Sequence, residues 1–216
     1  MNTVELFSGT GSFSKIARLR DCSIFRVEKF NHFDFEAELF KDILDVKRSD
    51  LPKKIDVLWA SPPCTAFSVA SIGKNWVKGV LVPKTSKGAL GLAYVLKTLE
   101  LIEQIKKDNP NLMWFIENPR GMLRKFPFME ELHRNTVTYC QYGDTRMKPT
   151  DIWTNNESWI PRPMCKNGDS CHASAPRGSR TGTQGLKGNM ERSIIPPILF
   201  EEIFEVINKN WSEQFR

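Results

Sequence analysis

The sequence has no long apolar run, and this absence excludes one class of protein. No stretch approaches the roughly 20 consecutive apolar residues that a membrane-crossing helix needs. The opening residues, MNTVELFSGTG, have neither a basic segment nor a long apolar core, so we expect no signal peptide. Both observations favour a cytoplasmic protein.

Cysteine is scarce and irregularly placed. The five cysteines are odd in number and lack the spacing of a secreted disulfide framework, which indicates a reducing, intracellular compartment. No internal repeat is present, and 216 residues with 40% hydrophobic residues suit one domain with a small appendage.

Acidic residues are in the minority. Lys and Arg number 31 against 25 Asp and Glu, which gives a net charge of +6 and a pI of about 9.1. A modest positive charge favours polyanionic partners, although many proteins with no nucleic-acid partner carry as much.

Apolar runs alternate with amphipathic segments along the chain. We predict strands at 3–9, 22–28, 55–61 and 111–119, a late strand pair at 136–143 and 150–155, and helices at 11–20, 89–109 and 193–210. Residues 71–88 read as a long loop, and 156–190 have little regular pattern. Alternating strands and helices predict an α/β fold with a doubly wound, mostly parallel sheet, whose ligands bind at the carboxyl ends of the strands.

Three motifs stand at those strand ends. In LFSGTG, the glycines at 9 and 11 let the backbone approach a ligand, and Glu28 after the next strand suits a ribose diol; a plain strand–helix turn is the alternative. In SPPCTAFS, two prolines fix the backbone before Cys64, and backbone N–H groups directed at its sulfur would favour the thiolate. A buried structural thiol is the alternative there.

The third motif is IENPRG. Glu117 and Asn118 end an apolar strand, where a buried carboxyl group held in its protonated form would donate to a ring nitrogen. A turn capped by Asn118-Pro119 is the alternative.

Together these motifs resemble the cytosine-C5 DNA methyltransferase family, over residues 3–155 and 190–207 and in the family's order. ELFSGTG is similar to the family's glycine motif for S-adenosylmethionine (SAM), SPPCTAFS to its Pro-Cys nucleophile motif and IENPRG to its Glu-Asn motif. Asp42-Ile43 resembles the acidic contact to adenine, YGDTRMKPTDIW the basic motif, and RSIIPPIL the C-terminal motif.

The resemblance implies a Rossmann-like SAM-dependent methyltransferase fold, and it assigns residues. Cofactor contacts fall on Phe7, Ser8, Gly9, Thr10, Gly11, Ser12, Glu28, Lys29, Asp42, Ile43, Pro62, Ser193 and Ile194. Catalytic roles fall on Cys64, Glu117, Asn118, Arg146 and Lys148. Cys64 would add to C6 of a flipped-out cytosine in double-stranded DNA, Glu117 would hold N3, and C5 would take the methyl group.

The match is weakest in the basic motif and beyond it. The family pattern Gln-x-Arg-x-Arg corresponds here to Arg146, Lys148 and the uncharged Thr150; Arg146 and Lys148 would bind phosphate or orient the base pocket. The family's long recognition domain is reduced to about 35 residues, so specificity is relaxed, the substrate is presented differently, or a partner supplies recognition. We divide the chain into a catalytic domain (1–155), a short insert (156–190) and a C-terminal helix (191–216), as in compact, phage-like members from bacterial or phage-infected cells.

Candidate nucleic-acid contacts lie in the predicted loop and in the insert. They are Ser68, Lys74 and Lys78, together with Lys84 and Lys87, and Arg177 and Arg180 of the insert. A solvated loop and a disordered linker are the respective alternatives.

A candidate metal site lies in and just before the insert. A Cys3His set suited to structural zinc is formed by Cys140, Cys165, Cys171 and His172. Ordinary thiols and a surface histidine are the alternative.

Four other functions stay open. Methylation of RNA cytosine would use the same motifs. A modified SAM carrying a charged one-carbon group would need an extra basic residue, for which Lys29 and Arg120 are candidates. A non-catalytic nucleic-acid-binding module and a nicotinamide oxidoreductase are less favoured, because neither explains Cys64 and Glu117.

Overall fold

The computed structural model describes residues 1–30, 36–174 and 188–214. Its strands are β1 (Asn2–Leu6), β2 (Ser23–Glu28), β3 (Leu39–Phe40), β4 (Val57–Ala60), β5 (Met113–Pro119), β6 (Arg134–Thr138) and β7 (Pro149–Thr154). Its α-helices are α1 (Ser12–Leu19), α2 (Ile72–Asn75), α3 (Ser86–Asp108), α4 (Pro127–Glu130), α5 (Asn189–Ser193) and α6 (Pro197–Gln214). Among these residues, no helix combines the length and the apolar character that a membrane crossing requires.

All seven strands form one sheet in the order β3-β2-β1-β4-β5-β7-β6. The pairs from β3 through β5 are parallel, and β7 runs antiparallel to both β5 and β6. This is the predicted mostly parallel, Rossmann-like sheet. Its parallel strands all end at one edge, where polar residues from separate parts of the chain meet.

Both faces of the sheet are covered, which explains why its central strands are apolar throughout. Alternate residues of β4 enter different cores: Leu58 packs in a core that includes α3, and Trp59 in a core that includes α1 and α6. The indole of Trp59 contacts the rings of Phe13 and Phe200. Helices on the two faces therefore fix the sheet edge that carries the motifs.

Several element boundaries differ from the predicted ones. The predicted loop contains α2 and a bridge between Trp76 and Pro83, and α3 begins at Ser86 because the Thr85 hydroxyl accepts from the Gly88 N–H at 3.1 Å. The strand predicted at 136–143 stops at Thr138 and continues as a 3-10 turn, Tyr139–Tyr142. The last helix begins at Pro197, where a missing N–H costs nothing.

Gly91 determines how closely α3 approaches the segment after β4. A Cβ atom at this position would lie 2.2 Å from the Cβ of Ala66, in the 3-10 turn Cys64–Ala66. No side chain fits in that space without moving the turn. The interior glycine of α3 thus sets the position of Cys64.

We predict that Gly91→Ala destabilises the fold and displaces this turn. Overpacking costs about 1–3 kcal/mol, more than the ~1 kcal/mol gained from alanine's helix propensity. The control is Gly73→Ala in α2, where an added Cβ meets nothing within 4 Å. Urea unfolding curves compare the two variants; equal stability of both would contradict the close contact.

Candidate active site

The glycine turn after β1 adopts a left-handed backbone. Phe7, Gly9 and Gly11 have φ angles of 58°, 46° and 63°. For Phe7 such an angle is strained, which is common at binding sites. The Gly9 N–H donates to Glu28 Oε2 at 2.8 Å, and the Thr10 and Ser12 hydroxyls lie 2.9 Å apart. The predicted turn and the carboxylate of the next strand are therefore in direct contact.

A cleft beside this turn is lined by five of the thirteen predicted cofactor residues: Phe7, Glu28, Lys29, Asp42 and Ile43. Its lining comprises Phe7, Val27, Glu28, Lys29, Phe30, Lys41, Asp42, Ile43, Pro63 and Tyr94. Pro63 lines the cleft rather than Pro62, because Pro62 is buried and its carbonyl is bonded to β5. Tyr94 was missed because it lies within a helix, α3, whose pattern indicated only packing.

Asp42 is one of the two acidic residues that line this cleft, with Glu28. Its carboxylate accepts from Lys29 Nζ at 2.7 Å, from the Leu44 N–H at 3.1 Å and from the Tyr94 hydroxyl at 3.4 Å. Partial burial raises its pKa, the Lys29 ammonium lowers it, and the net shift is downward. Asp42 therefore stays ionised as an acceptor, and Lys29 is held at this end of the cleft.

Cys64 follows β4 at the start of a 3-10 turn and is half-buried. The Asn118 side-chain amide donates to the Pro62 carbonyl at 2.8 Å, which fastens the end of β4 to β5. Since Ala60 pairs with Ile116, the chain that leads to Cys64 runs beside Glu117. The two predicted catalytic residues thus come from neighbouring strand ends.

Glu117 is a buried carboxyl group with a hydrogen-bond donor on one side. The Tyr139 hydroxyl donates to its Oε1 at 3.1 Å. Burial raises the pKa of Glu117, and Lys148, Tyr139 and Ser61 oppose the shift only in part. A raised pKa is the direction that the sequence analysis expected for a carboxyl group that donates a proton.

The ionisation of Cys64 differs from expectation. Burial raises the pKa of its thiol, as does the Glu117 carboxylate, whereas Lys148, a backbone N–H and Arg192 lower it by less. The prediction that backbone N–H groups would hold Cys64 as a thiolate is therefore wrong for this form of the protein. The cost of removing a thiolate from water at this half-buried position is larger than the stabilisation that the nearby N–H group and cations provide.

The two residues of the basic motif have different surroundings. Arg146 is 4% exposed; it pairs with Asp144, and its guanidinium donates to the carbonyls of Arg192 at 3.2 Å and Ile194 at 3.0 Å. The expectation that Arg146 binds phosphate is corrected, because its donors are occupied within the chain. Lys148 lies 4.7 Å from the centre of the Tyr139 ring and acts electrostatically on Cys64 and Glu117.

The comparisons with known proteins agree with this arrangement. Residues 1–126, more than half of the chain, match the family model described as C-5 cytosine-specific DNA methylase. The chain belongs to this family. Its reaction class is accordingly that of a DNA (cytosine-5)-methyltransferase, an enzyme whose methyl donor is SAM.

A relative and two solved structures show the extent of the similarity. A probable DNA (cytosine-5)-methyltransferase of Frog virus 3 (isolate Goorha) is 27% identical over 223 residues, which cover 95% of this chain and 100% of the viral protein. A mutant Spodoptera frugiperda DNMT2 matches with a TM-score of 0.49 and 16% identity over 75% of this chain. Dnmt2 of S. pombe matches with 0.44 and 15% over 71%. The chain spans about half of these two structures, 55% and 48% of their chains.

The C-terminal motif of this methylase lies beside the glycine turn. The Ile195 N–H donates to the Ser12 hydroxyl at 3.3 Å. Ser193 and Ile194 are exposed and lie outside the cleft lining, because Arg146 holds the Ile194 carbonyl and the Ser193 hydroxyl donates to the Met190 carbonyl. The cofactor contact of Ser193 and Ile194 stays a prediction; in the structure the motif contacts the glycine turn through the backbone of Ile195.

The predicted DNA contacts are only partly described. Lys74 and Lys78 are exposed on the segment after Cys64, and the Ser68 hydroxyl lies 2.9 Å from that of Ser71. Trp76 anchors this segment, since its indole N–H donates to the Ala66 carbonyl at 2.7 Å. Arg177 and Arg180 lie outside the described residues.

The predicted metal ligands do converge. The ligand atoms of Cys140, Cys165, Cys171 and His172 all lie within 4.8 Å of one another. Cys140 and Cys165 have Sγ atoms 3.1 Å apart, and His172 Nδ1 is 3.6 Å from the Cys171 sulfur and 3.8 Å from that of Cys165. We call these four residues the Cys/His centre.

We predict that Lys148→Met raises the pKa of Cys64 further, because it removes the leading cationic contribution that opposes burial. Iodoacetamide reacts with the thiolate, so the pH at which Cys64 becomes alkylated should move upward, as followed by peptide mass spectrometry. Lys74→Met, on the exposed segment, is the control and should leave the profile unchanged. An unshifted profile in Lys148→Met would show that Lys148 does not act on the sulfur.

Proposed function

We propose that this chain methylates C5 of cytosine in DNA with Cys64 as nucleophile and Glu117 as the group that holds the base. One observation carries the proposal: Cys64 and Glu117 lie at adjacent parallel strand ends, with the Lys148 ammonium acting on both. A nucleophile, a protonated carboxyl group and a cation are what addition to a pyrimidine ring requires.

The cleft suits the nucleoside part of SAM. Glu28 offers a carboxylate for a ribose diol, Asp42 an acceptor for an exocyclic amine, and Phe7, Ile43 and Tyr94 apolar surface for a purine. When bound, SAM supplies an electrophilic methyl group. Pro63, which precedes Cys64 in the chain, lines the cleft, so donor and nucleophile would lie close together.

The residues support a sequence in which each bond is accounted for. The Cys64 thiol loses its proton to solvent and its sulfur forms a bond to C6, while the electrons of the C5=C6 bond move into the ring, where Glu117 donates to N3 and Lys148 stabilises the negative charge. C5 would then take the methyl group as the bond between that carbon and the sulfonium sulfur of the donor breaks, and the donor would leave as a neutral thioether. A base removes the C5 proton, the S–C6 bond breaks, and the C5=C6 bond returns. Because Cys64 is half-buried, the target base has to leave the duplex to reach it.

The segment after Cys64 supports a nucleic-acid contact. Lys74 and Lys78 are exposed there, and we propose that they neutralise phosphates beside the flipped base. Because the anchor of Trp76 fixes this segment to the turn that carries Cys64, binding of the phosphates would also order the nucleophile.

We expect Cys64→Ser to abolish methylation and to leave SAM affinity intact, because the sulfur forms the bond to C6 and contributes nothing to the nucleoside cleft. The assay is nucleoside mass spectrometry of double-stranded DNA digested after incubation with SAM. Cys22→Ser is the matched control and should stay active, because Cys22 is a half-buried cysteine that precedes the start of β2, whereas Cys64 follows the end of β4.

The outcomes of this assay distinguish the possible functions of the protein. Loss of both activity and SAM affinity in Cys64→Ser would indicate a structural thiol. A methyl gain on a structured RNA stem-loop, with none on DNA, would replace the substrate. SAM binding without turnover on either polymer would favour a binding module or a missing recognition partner.

A second candidate donor is favoured by the charge at the reacting end. Although burial raises the pKa of Cys64, both Lys148 and Arg192 act on its thiol as cations, and two cations disfavour a sulfonium group beside them. Lys29 is excluded from this role because its ammonium is paired with the Asp42 carboxylate. A SAM derivative with a carboxylate on the transferred carbon would complement this charge, and the same digest would then show a carboxymethyl rather than a methyl gain.

We also propose that the Cys/His centre binds one structural zinc ion. Zinc–sulfur bonds of about 2.3 Å in a tetrahedron place sulfur atoms roughly 3.8 Å apart, close to the separations of 3.1 and 3.6 Å from Cys140 to Cys165 and Cys171. Burial and the neighbouring thiols raise the pKa of Cys140 to about 12, so a cation is what would allow these thiols to ionise together. A metal would give residues 156–190, poor in apolar side chains, a fixed shape as a short insert.

We expect one zinc per chain by elemental analysis of protein purified without chelator. Cys171→Ser should lose most of it and lower the thermal unfolding temperature by several degrees, whereas Cys22→Ser should retain it. A Cys140–Cys165 disulfide found by mass spectrometry in metal-free protein would overturn the zinc assignment.

A further inference from the structure

Tyr139 connects the two sites, and nothing in the sequence motifs singled it out. Its side chain is fully buried, and its hydroxyl donates to Glu117 Oε1 at 3.1 Å. This bond restrains the rotation of the Glu117 carboxyl group, because one of its oxygens is held by a buried donor. Tyr139 therefore helps to set the orientation in which Glu117 meets a base.

The backbone around Tyr139 is held by residues of the insert. The preceding residue, Thr138, accepts the Cys165 N–H on its hydroxyl at 3.0 Å. The following residue, Cys140, belongs to the Cys/His centre, with its sulfur 3.1 Å from that of Cys165. Both neighbours of Tyr139 are thus attached to the same residue, Cys165.

The basic motif lies beside the Tyr139 ring. Lys148 Nζ lies 4.7 Å from the ring centre, and the Tyr139 N–H donates to the Lys148 carbonyl at 3.4 Å. The Thr145 carbonyl accepts from the Ala173 N–H at 2.9 Å, so the segment after His172 also packs on this motif. Residues of the insert consequently hold both Tyr139 and the motif that contains Lys148.

We propose that Tyr139 is a positioning residue that orients Glu117, and that the Cys/His centre holds Tyr139 in place. This inference rests on the proposed function. A metal centre outside the cleft would then set the rate of the reaction without touching either substrate. The insert, which is too short for a full recognition domain, would act as a support for the catalytic carboxyl group.

The test compares Tyr139→Phe with Tyr142→Phe. Tyr142 is a matched control: it is equally buried in the same 3-10 turn, and its hydroxyl accepts from the Arg162 N–H at 2.9 Å instead of reaching Glu117. We expect kcat of Tyr139→Phe on DNA to fall roughly tenfold, with KM for SAM unchanged, because one hydrogen bond to a buried group is lost while the fold is kept. Tyr142→Phe should retain its kcat.

The link to the Cys/His centre is tested by combining variants. If the centre acts through Tyr139, the double variant Tyr139→Phe/Cys171→Ser should be no slower than the slower single variant. Chelation of zinc should also speed amide exchange over residues 138–142 and 116–118 in the otherwise intact protein, a readout independent of activity.

The results distinguish this inference from the proposed function. A wild-type protein without Cys64-dependent methylation removes the proposed function itself. An active wild type in which Tyr139→Phe matches Tyr142→Phe removes the positioning role alone. Additive losses in the double variant, or amide exchange over 138–142 that is indifferent to chelation, remove the coupling to the Cys/His centre.

Discussion

A buried hydrogen bond from the Asn118 amide to the Pro62 carbonyl, 2.8 Å long, joins the ends of β4 and β5. This bond helps to hold Cys64 and Glu117 at neighbouring positions, because it fastens the two strand ends that carry them. Pro62 and Pro63 limit the backbone on one side, and Gly91 allows α3 to press on the turn from the other. The nucleophile is thus placed by groups that never contact a substrate, which is how a rigid site is built on a rigid edge.

At the same sheet edge, the buried Arg146 has a structural role. Arg146 is enclosed by Asp144 and by the carbonyls of Arg192 and Ile194, which lie more than forty positions later in the chain. It thereby brings the C-terminal motif over the glycine turn, where Ile195 meets Ser12. Lys148, two positions on, keeps its charge near Cys64 and Glu117. The Arg146 guanidinium therefore has a structural role at the site, whereas the Lys148 ammonium has an electrostatic one.

Much of the fold and of the site could be predicted from local patterns. The continuous apolar strands and their polar ends identified the sheet edge, and Cys64, Glu117 and Glu28 each stand next to such an end. Asp42 was assigned only through the family resemblance, because the two-residue strand β3 before it is too short to give a pattern. The ionisation of Cys64 could not be predicted, because desolvation depends on what packs around the sulfur. Arg146 was misjudged for a similar reason: its partners come from a distant segment.

Tyr139 and Pro63 illustrate a second limit of sequence patterns. Tyr139 sits in an apolar stretch that reads as a strand, and only the 3-10 turn after Thr138 directs its hydroxyl to Glu117. Pro63 and Pro62 are indistinguishable by composition, yet the Asn118 bond buries one and leaves the other at the cleft. Positions one residue apart exchange roles when a turn changes the direction of the chain.

The small size of the chain places a physical condition on its specificity. In the proposed mechanism Glu117 holds the cytosine, and Glu117 and its hydrogen-bond partner Tyr139 belong to the sheet edge and the turn beside it rather than to a separate domain. Discrimination among neighbouring bases needs side chains in a groove. Lys74 and Lys78, exposed on the segment after Cys64, suit phosphate instead, and phosphate contacts give affinity that falls with salt and carries no sequence information. A choice among neighbouring bases therefore has to come from side chains other than these two lysines, or from another molecule.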